Sequence, residues 1–319
     1  MSGNEEKRQA TGKEVLQKQI IQLAFVNLFL VALLGLLLRS FPFLEQFPLA
    51  FRNVLHGHSH FAFGGWVLPV LVGLVMKYFP EIKKQVAFRH WRNITVLVFV
   101  SAYGMLLFFP FYGYKGIPIF FSTLSIVATT YLSIVIWKVS SPAGFVTSRR
   151  FLTWGLVYGT ISAIGPFSTV PLIINGQQGS NFYFDLIYFY LHFQYNGFFT
   201  FLVLAVLFRW LEKKGMAKNG RTIFYLMNLA CVPAYALSVL WHQPGIAWNI
   251  VGGIASVVQL VGAIYLWKGV RGRIKNTHFV LRLSFFFFSL KLLLQAAGSF
   301  PFVATMAYEN RNFVIAYLH

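Results

Sequence analysis

The apolar runs of about 20 residues constrain this chain more than any other feature. A helix rises about 1.5 Å per residue, so about 20 residues cross the roughly 30 Å of hydrocarbon in a bilayer. Such runs fall at 18–40, 56–79, 92–111, 117–138, 151–174, 185–210, 222–242, 246–267 and 280–305, and a tenth opens near 312 and is cut off at His319. Only 11% of the 319 residues are charged, against 57% hydrophobic, too few charges to cover a water-facing surface of this size. Backbone groups in lipid are satisfied inside helices or closed barrels, never in open strands. The expected fold is all-α: a polytopic transmembrane helix bundle of nine full spans and the start of a tenth. Residues 1–17 are expected to form a cytoplasmic N-terminal segment and 18–319 a single transmembrane domain. The polar N-terminus leads into a long apolar run without a small-residue cleavage site, which predicts a retained first helix.

The net charge of +19 raises the question of nucleic acid, and its distribution answers it. Of the 27 Lys and Arg residues, 22 lie in alternate connections: the N-terminus, Lys77 to Arg92, Lys138 to Arg150, Arg209 to Arg221, and Lys268 to Arg282. The other face carries Arg39, Arg52, Lys115 and Arg311. The positive-inside rule then puts the N-terminus in the cytoplasm. Membrane lipid is the expected partner and nucleic acid is not. Cys231 is the single cysteine, so no intrachain disulfide or thiolate cluster is available, and it reads as a small packing residue.

In this topology six of the eight histidines share one side. His56, His58 and His60 lie at the outer mouth of the second span, His192 a third of the way into the sixth, His242 at the outer end of the seventh, and His319 in the tenth. His90 and His278 sit among inner basic residues, where solvation or lipid contact explains them. The string His60-Phe61-Ala62-Phe63-Gly64-Gly65-Trp66 recurs as His192-Phe193-Gln194-Tyr195-Asn196-Gly197-Phe198, and Tyr190-Leu191-His192 recurs as Tyr317-Leu318-His319. The spacings, 132 and 127 residues, each cover four spans. A pseudo-threefold repeat of four helices follows, with a histidine opening the second helix of each repeat.

Neutral imidazole is the commonest ligand for transition metals and haem iron, and a polar ring in lipid is costly unless paired or ligated. Gly64 or Gly65, and Gly197, lie one turn further on. They either leave room for a flat macrocycle or let helices approach closely. His56 and His60 share a helical face and His58 points nearly opposite, so the three cannot all ligate one centre. The repeat frame favours His60, with His58 next.

These residues resemble the haem-copper oxidase superfamily: subunit I of respiratory oxidases and the large subunit of nitric oxide reductases. The string from His58 through Gly65-Trp66 also resembles the start of small, divergent oxidase-like bacterial proteins. It resembles, too, haem- and copper-binding membrane proteins linked to nitric oxide stress. The resemblance implies twelve helices in three arcs of four, so a chain ending at His319 would be truncated. It implies a bacterial cytoplasmic (inner) membrane location, with a c-type cytochrome or other electron-donor subunit as partner. His60 (or His58), with His56 beside it, would hold a low-spin haem between the second and tenth helices, His319 supplying the tenth-helix ligand. Gly65 and Trp66 would line that haem. His192 would be the sixth-helix copper ligand, and His242-Gln243 would stand where the family has a histidine pair. Gln243 is a poor substitute for imidazole, and Asn196 stands where the family has a tyrosine four residues after the sixth-helix histidine.

The ninth span carries Lys291, with Ser284, Gln295 and Ser299 on one helical face. An intramembrane lysine is a functional candidate by default. It reads either as part of a proton path to the outer metal site or as a structural lysine bonded to a neighbouring helix. Three functions follow. The first is a haem-binding protein that reduces dioxygen or nitric oxide. The second is a non-catalytic haem or copper carrier or sensor on the same fold. The third is a small-molecule, proton-coupled transporter. Pro166 and Pro171 in the fifth span, read as unmatched in the ninth, argue against the transporter.

Overall fold

A computed structural model describes residues 3–44, 47–139, 143–274 and 278–319. The middles of two basic connections, 140–142 and 275–277, and the side chain of Arg311 lie outside the described residues. The molecule is 87% helical, with no strand among the described residues. Among the described residues nine helices are long and apolar enough to cross a membrane. We label them α1 (Gly3–Ser40), α2 (Phe51–Tyr78), α3 (Phe88–Tyr112), α4 (Gly116–Trp137), α5 (Val146–Ile174), α6 (Asn181–Lys213), α7 (Gly220–His242), α8 (Ile246–Ile274) and α9 (Phe279–Ala297).

One boundary differs from the sequence expectation, and one helix starts ahead of its apolar run. α1 is helical from Gly3, so polar residues lead into the first span as one continuous helix. Its first half is held against the short helix Pro80–Gln85, where Lys83 bonds Glu14 and lies 2.9 Å from Gln17 Oε1, and Lys13 Nζ donates to the Lys84 carbonyl at 3.0 Å. The ninth span was expected to run to 305 and ends at Ala297. Pro301 has no N–H and its ring would clash with the carbonyl four residues back, so a turn intervenes before Pro301–Glu309. Arg311–Leu318, the expected tenth span, is an eight-residue helix.

The chain forms two compact units, Met1–Gly144 and Phe145–His319. The boundary falls between α4 and α5, where a four-helix repeat would place it. In the first unit α2 packs on α1 and α3, and α3 on α4; in the second α6 packs on α5 and α7, and α8 on α7 and α9.

The repeat is visible in detail. The second helix of each unit is interrupted by a π-helical turn, Ala62–Val67 in α2 and Phe193–Phe199 in α6, and both begin within two residues of the matched histidine. Across each π turn a tyrosine–asparagine hydrogen bond joins the first and third helices of the unit. In the first unit Tyr103 (α3) donates to Asn27 Oδ1 (α1) at 2.6 Å, and Asn27 Nδ2 donates to the Gly65 carbonyl at 2.6 Å. In the second, Tyr158 (α5) donates to Asn228 Oδ1 (α7) at 3.0 Å, and a Cβ on Gly197 would lie 2.6 Å from Tyr158 Cβ. Asn27 and Tyr158 are 131 residues apart, so the two partners have exchanged helices while keeping the bond. Buried polar groups need partners, and in the first unit Asn27 serves a carbonyl of the widened turn.

A proline also recurs, at Pro42, Pro171 and Pro301. Each lies in a short helical piece beyond the end or break of a repeat's first helix: Phe41–Phe43, Ile164–Ile174 and Pro301–Glu309. Pro171 therefore has a counterpart near the ninth span, contrary to the sequence expectation. The break at Ala163 itself follows from Pro166, which cannot donate to Ser162.

Candidate histidine sites in the two units

In the first unit the three histidines of α2 divide between two neighbours. His56 and His60 face the α3–α4 turn. The His60 ring stacks on Phe109 with centroids 4.6 Å apart and planes 2° from parallel, and its Nε2 is 2.9 Å from the Tyr114 hydroxyl. His56 meets the Tyr114 ring edge-on at 4.6 Å. His58 turns to α1, where a Cβ on Gly35 would come within 3.5 Å of its Cε1. Gly57 brings α2 close to Pro110, which a Cβ would approach to 3.2 Å. Gly65 leaves no open slot: a Cβ there would lie 2.5 Å from the ring of Phe61. Trp66 packs on Phe25 of α1 at 5.4 Å.

In the second unit His192 is only 3% exposed, and both ring nitrogens are engaged. Nε2 donates to the Cys231 carbonyl at 2.8 Å, and Asn196 Nδ2 donates to Nδ1 at 3.1 Å, with Ser238 Oγ 3.4 Å from the same nitrogen. These contacts fix a neutral tautomer with the proton on Nε2. Asn196, four residues after His192, is thus the partner of its imidazole.

The outer half of α7 explains how Ser238 reaches His192. Pro233–His242 is a ten-residue 3₁₀ helix. Residues three apart eclipse in a 3₁₀ helix, whereas an α-helix would fan them out. Tyr235, Ser238 and Trp241 therefore form one row along α6. Tyr235 donates to the Asp185 carbonyl at 2.9 Å, and Trp241 Nε1 donates to Asp185 Oδ1 at 3.2 Å. His242 Nε2 donates to the other Asp185 oxygen at 3.1 Å. Gln243 closes the helix in a left-handed conformation, φ 54°, with its side chain exposed.

Lys291 donates to Gln295 Oε1 at 2.9 Å, and Gln295 Nε2 donates onward to Gln259 Oε1 at 2.7 Å on α8. Ser299 is tied to α8 through Asn249, which donates to its carbonyl at 2.8 Å, while Ser284 bonds only within α9, to Val280. The polar stripe therefore reaches α8 directly through Gln295 and Ser299, and Lys291 joins it through Gln295. His319 is exposed, with Nδ1 2.8 Å from the Ile315 carbonyl of its own helix.

The structure thus joins His56 and His60 through Tyr114, His192 to Asn196 and Ser238, and His242 to Asp185. Among the described residues no three His, Cys, Asp or Glu side chains converge on a metal-sized centre. Sequence reasoning missed Tyr114, Phe109, Asp185 and the Asn27–Tyr103 and Tyr158–Asn228 bonds. Only Asp185, an acid inside an apolar run, carried a signal of its own.

No protein-family model, curated protein or solved structure matches this chain.

Proposed function

We propose that this chain is a membrane-embedded haem-binding protein of the electron-transfer or carrier type, with His60 as its nominated axial ligand. One observation carries the reading. The repeated histidine string folds as a π turn in both units, a distortion found mostly at functional sites. The two histidines that precede these turns differ in what holds them. His60 is partly exposed, and its Nε2 meets one hydroxyl on a short connection, which a ligand can displace. His192 is buried with both nitrogens committed, and His242 is committed to Asp185. The donor set on α2 therefore suits haem iron, and that on α6 and α7 suits copper less well. A haem supplies one-electron chemistry when bound. The chain's own part is to present an imidazole, hold its ring flat against Phe109, and surround it with aromatic side chains. Reduction of dioxygen or nitric oxide, with His192, His242, Gln243 and Lys291 as a copper and proton site, is the less supported form of this proposal. A c-type cytochrome or other donor, and a bacterial inner membrane with the N-terminus inside, complete it; the alternating basic connections support that orientation.

The breaks after α9 and within α5 favour a second reading, a small-molecule transporter. Against it, the break within α5 comes from Pro166, which has no counterpart at Leu37 of α1 or Ala296 of α9, so no matched pair of broken helices is formed.

The test is a reduced-minus-oxidised absorption spectrum, with and without carbon monoxide, on protein purified from haem-replete cells. A sharp band insensitive to carbon monoxide is expected. A further carbon-monoxide-sensitive band would restore the reductase, and no haem band would move the assignment to the transporter.

A further inference from the structure

The second unit gathers cations at its basic end without giving them acids. Arg150 lies near the start of α5 and Arg221 at the start of α7, and the two helix starts touch: a Cβ on Gly220 would lie 2.7 Å from Thr147 Oγ1. Both guanidinium groups stand over one ring. The Arg150 guanidinium carbon is 5.5 Å from the centroid of Tyr225 and 5.9 Å from that of Phe224, and the Arg221 carbon is 5.7 Å from Tyr225. Phe224 is buried and meets Phe151 edge-on at 5.2 Å, so the platform under Arg150 is fixed. Glu212 is the only acid in the basic connections of 138–150, 209–221 and 268–282. It is already spent on α5, accepting the Thr147 N–H at 2.8 Å. Among the described residues neither guanidinium, nor the Tyr225 hydroxyl, has a hydrogen-bond or carboxylate partner. A ring face attracts cations but leaves the N–H donors of arginine unused. In the first unit, by contrast, Lys83 bonds Glu14.

We infer that Arg150, Arg221 and Tyr225 bind the headgroup of an anionic phospholipid. Two planar guanidinium forks and a hydroxyl are a donor set for phosphate oxygens, and a phosphate between them supplies the charge that the protein withholds. What continues from the arginines favours a lipid over free phosphate. Leu229 and Val232 follow Tyr225 on one face of α7, one and two turns further into the span, and they are 70% and 55% exposed. Trp154, one turn beyond Arg150 on α5, is exposed as well. A headgroup held at the arginines therefore lays its acyl chain along an apolar row that begins at the same ring. The basic connections mark the membrane face on which anionic lipids concentrate. Bound there, the lipid relieves the repulsion between two like charges and ties the start of α5 to the start of α7. The site uses no histidine and does not depend on haem.

The experiment counts lipids bound to the purified full chain by native mass spectrometry from neutral detergent micelles. Phosphatidylglycerol is titrated in, with phosphatidylcholine of the same acyl chains as the zwitterionic probe and inorganic phosphate as a competitor without chains. Wild type is expected to bind phosphatidylglycerol saturably, about tenfold or more tighter than phosphatidylcholine, and to keep it in millimolar phosphate. Arg150→Gln and Arg221→Gln each weaken that binding about fivefold, and the two together remove the preference over phosphatidylcholine. Arg150→Lys keeps the charge, loses the fork, and weakens binding less than Arg150→Gln does. The control pair Lys77→Gln/Lys214→Gln removes two other ring-stacked cations of the basic connections, 5.8 Å from Tyr78 and 4.5 Å from Trp210, and leaves the preference intact. A control pair as damaging as the arginine pair overturns the site in favour of diffuse attraction. A wild type without preference for phosphatidylglycerol overturns the lipid outright, before any variant is made. Displacement of the lipid by phosphate reassigns the arginines to a soluble anion.

Discussion

The two π turns are copies of one device used for different ends. In the first unit the turn after His60 is held from the side, by Asn27 donating to the Gly65 carbonyl, and the histidine is left at the rim against Tyr114. In the second unit the turn after His192 is held by packing, with Gly197 against Tyr158, and the histidine is drawn inside and saturated. The same string of residue types therefore yields a partly exposed imidazole in one unit and a buried one, bonded at both nitrogens, in the other. What differs is the neighbour: a short connection carrying Tyr114 on one side, and the 3₁₀ row of α7 carrying Ser238 on the other.

The strongest way to break this comparison is to remove each imidazole in turn. His60→Ala is expected to eliminate haem from protein purified from haem-replete cells, and His192→Ala to retain most of it; the haem-to-protein ratio decides. Retention by His60→Ala with loss by His192→Ala would reverse the assignment of roles.

Stability should rank the other way. His192→Ala leaves the Cys231 carbonyl and Asn196 without their partner and opens a buried space, at a cost of about 3 kcal/mol. His60→Ala removes the Tyr114 hydrogen bond and the stack on Phe109, both at the rim, and should cost about 1.5 kcal/mol. Reversible unfolding in mixed micelles measures both, and equal costs would mean that His60 is as structural as its counterpart.

The glycines sharpen the contrast. Gly197→Ala drives a methyl to 2.6 Å from Tyr158 Cβ, close to backbone that cannot move, and should cost about 3 kcal/mol. Gly65→Ala meets the Phe61 ring at 2.5 Å, the end of a side chain that can rotate, and should cost about 1 kcal/mol. Thermal denaturation of the two variants should separate them by several degrees.

The smallest expected difference lies in the exchanged bond. Asn27→Ala loses both the Tyr103 and the Gly65 partners and should cost about 2 kcal/mol. Asn228→Ala should cost about 1 kcal/mol, because the Tyr158 hydroxyl keeps the residue 228 carbonyl, 3.2 Å away in the wild type. Equal losses would show that the two bonds are equivalent despite the exchange.

The nine spans were legible because burial in lipid demands apolar length, and length is written locally. The repeat was legible at His60 and His192, where residue types are kept, and hidden at Asn27 and Tyr158, where they are exchanged. The end of α9 was missed because Pro301 sits within an apolar run that composition alone does not divide. Tyr114 and Asp185 could not be paired with their histidines, since each pair is joined only by folding: Tyr114 lies 54 residues from His60, and Asp185 lies 57 from His242.

The sequence by itself determined that this chain is a helical membrane protein built on a four-span repeat, with six of its eight histidines gathered toward one end of the spans. Apolar length and periodicity are properties of the chain. Only the tertiary structure decided which imidazole is buried with both nitrogens bonded and which lies beside a tyrosine hydroxyl of a short connection. The fate of a ring nitrogen in low dielectric depends on the groups that neighbouring helices bring within about 3 Å of it.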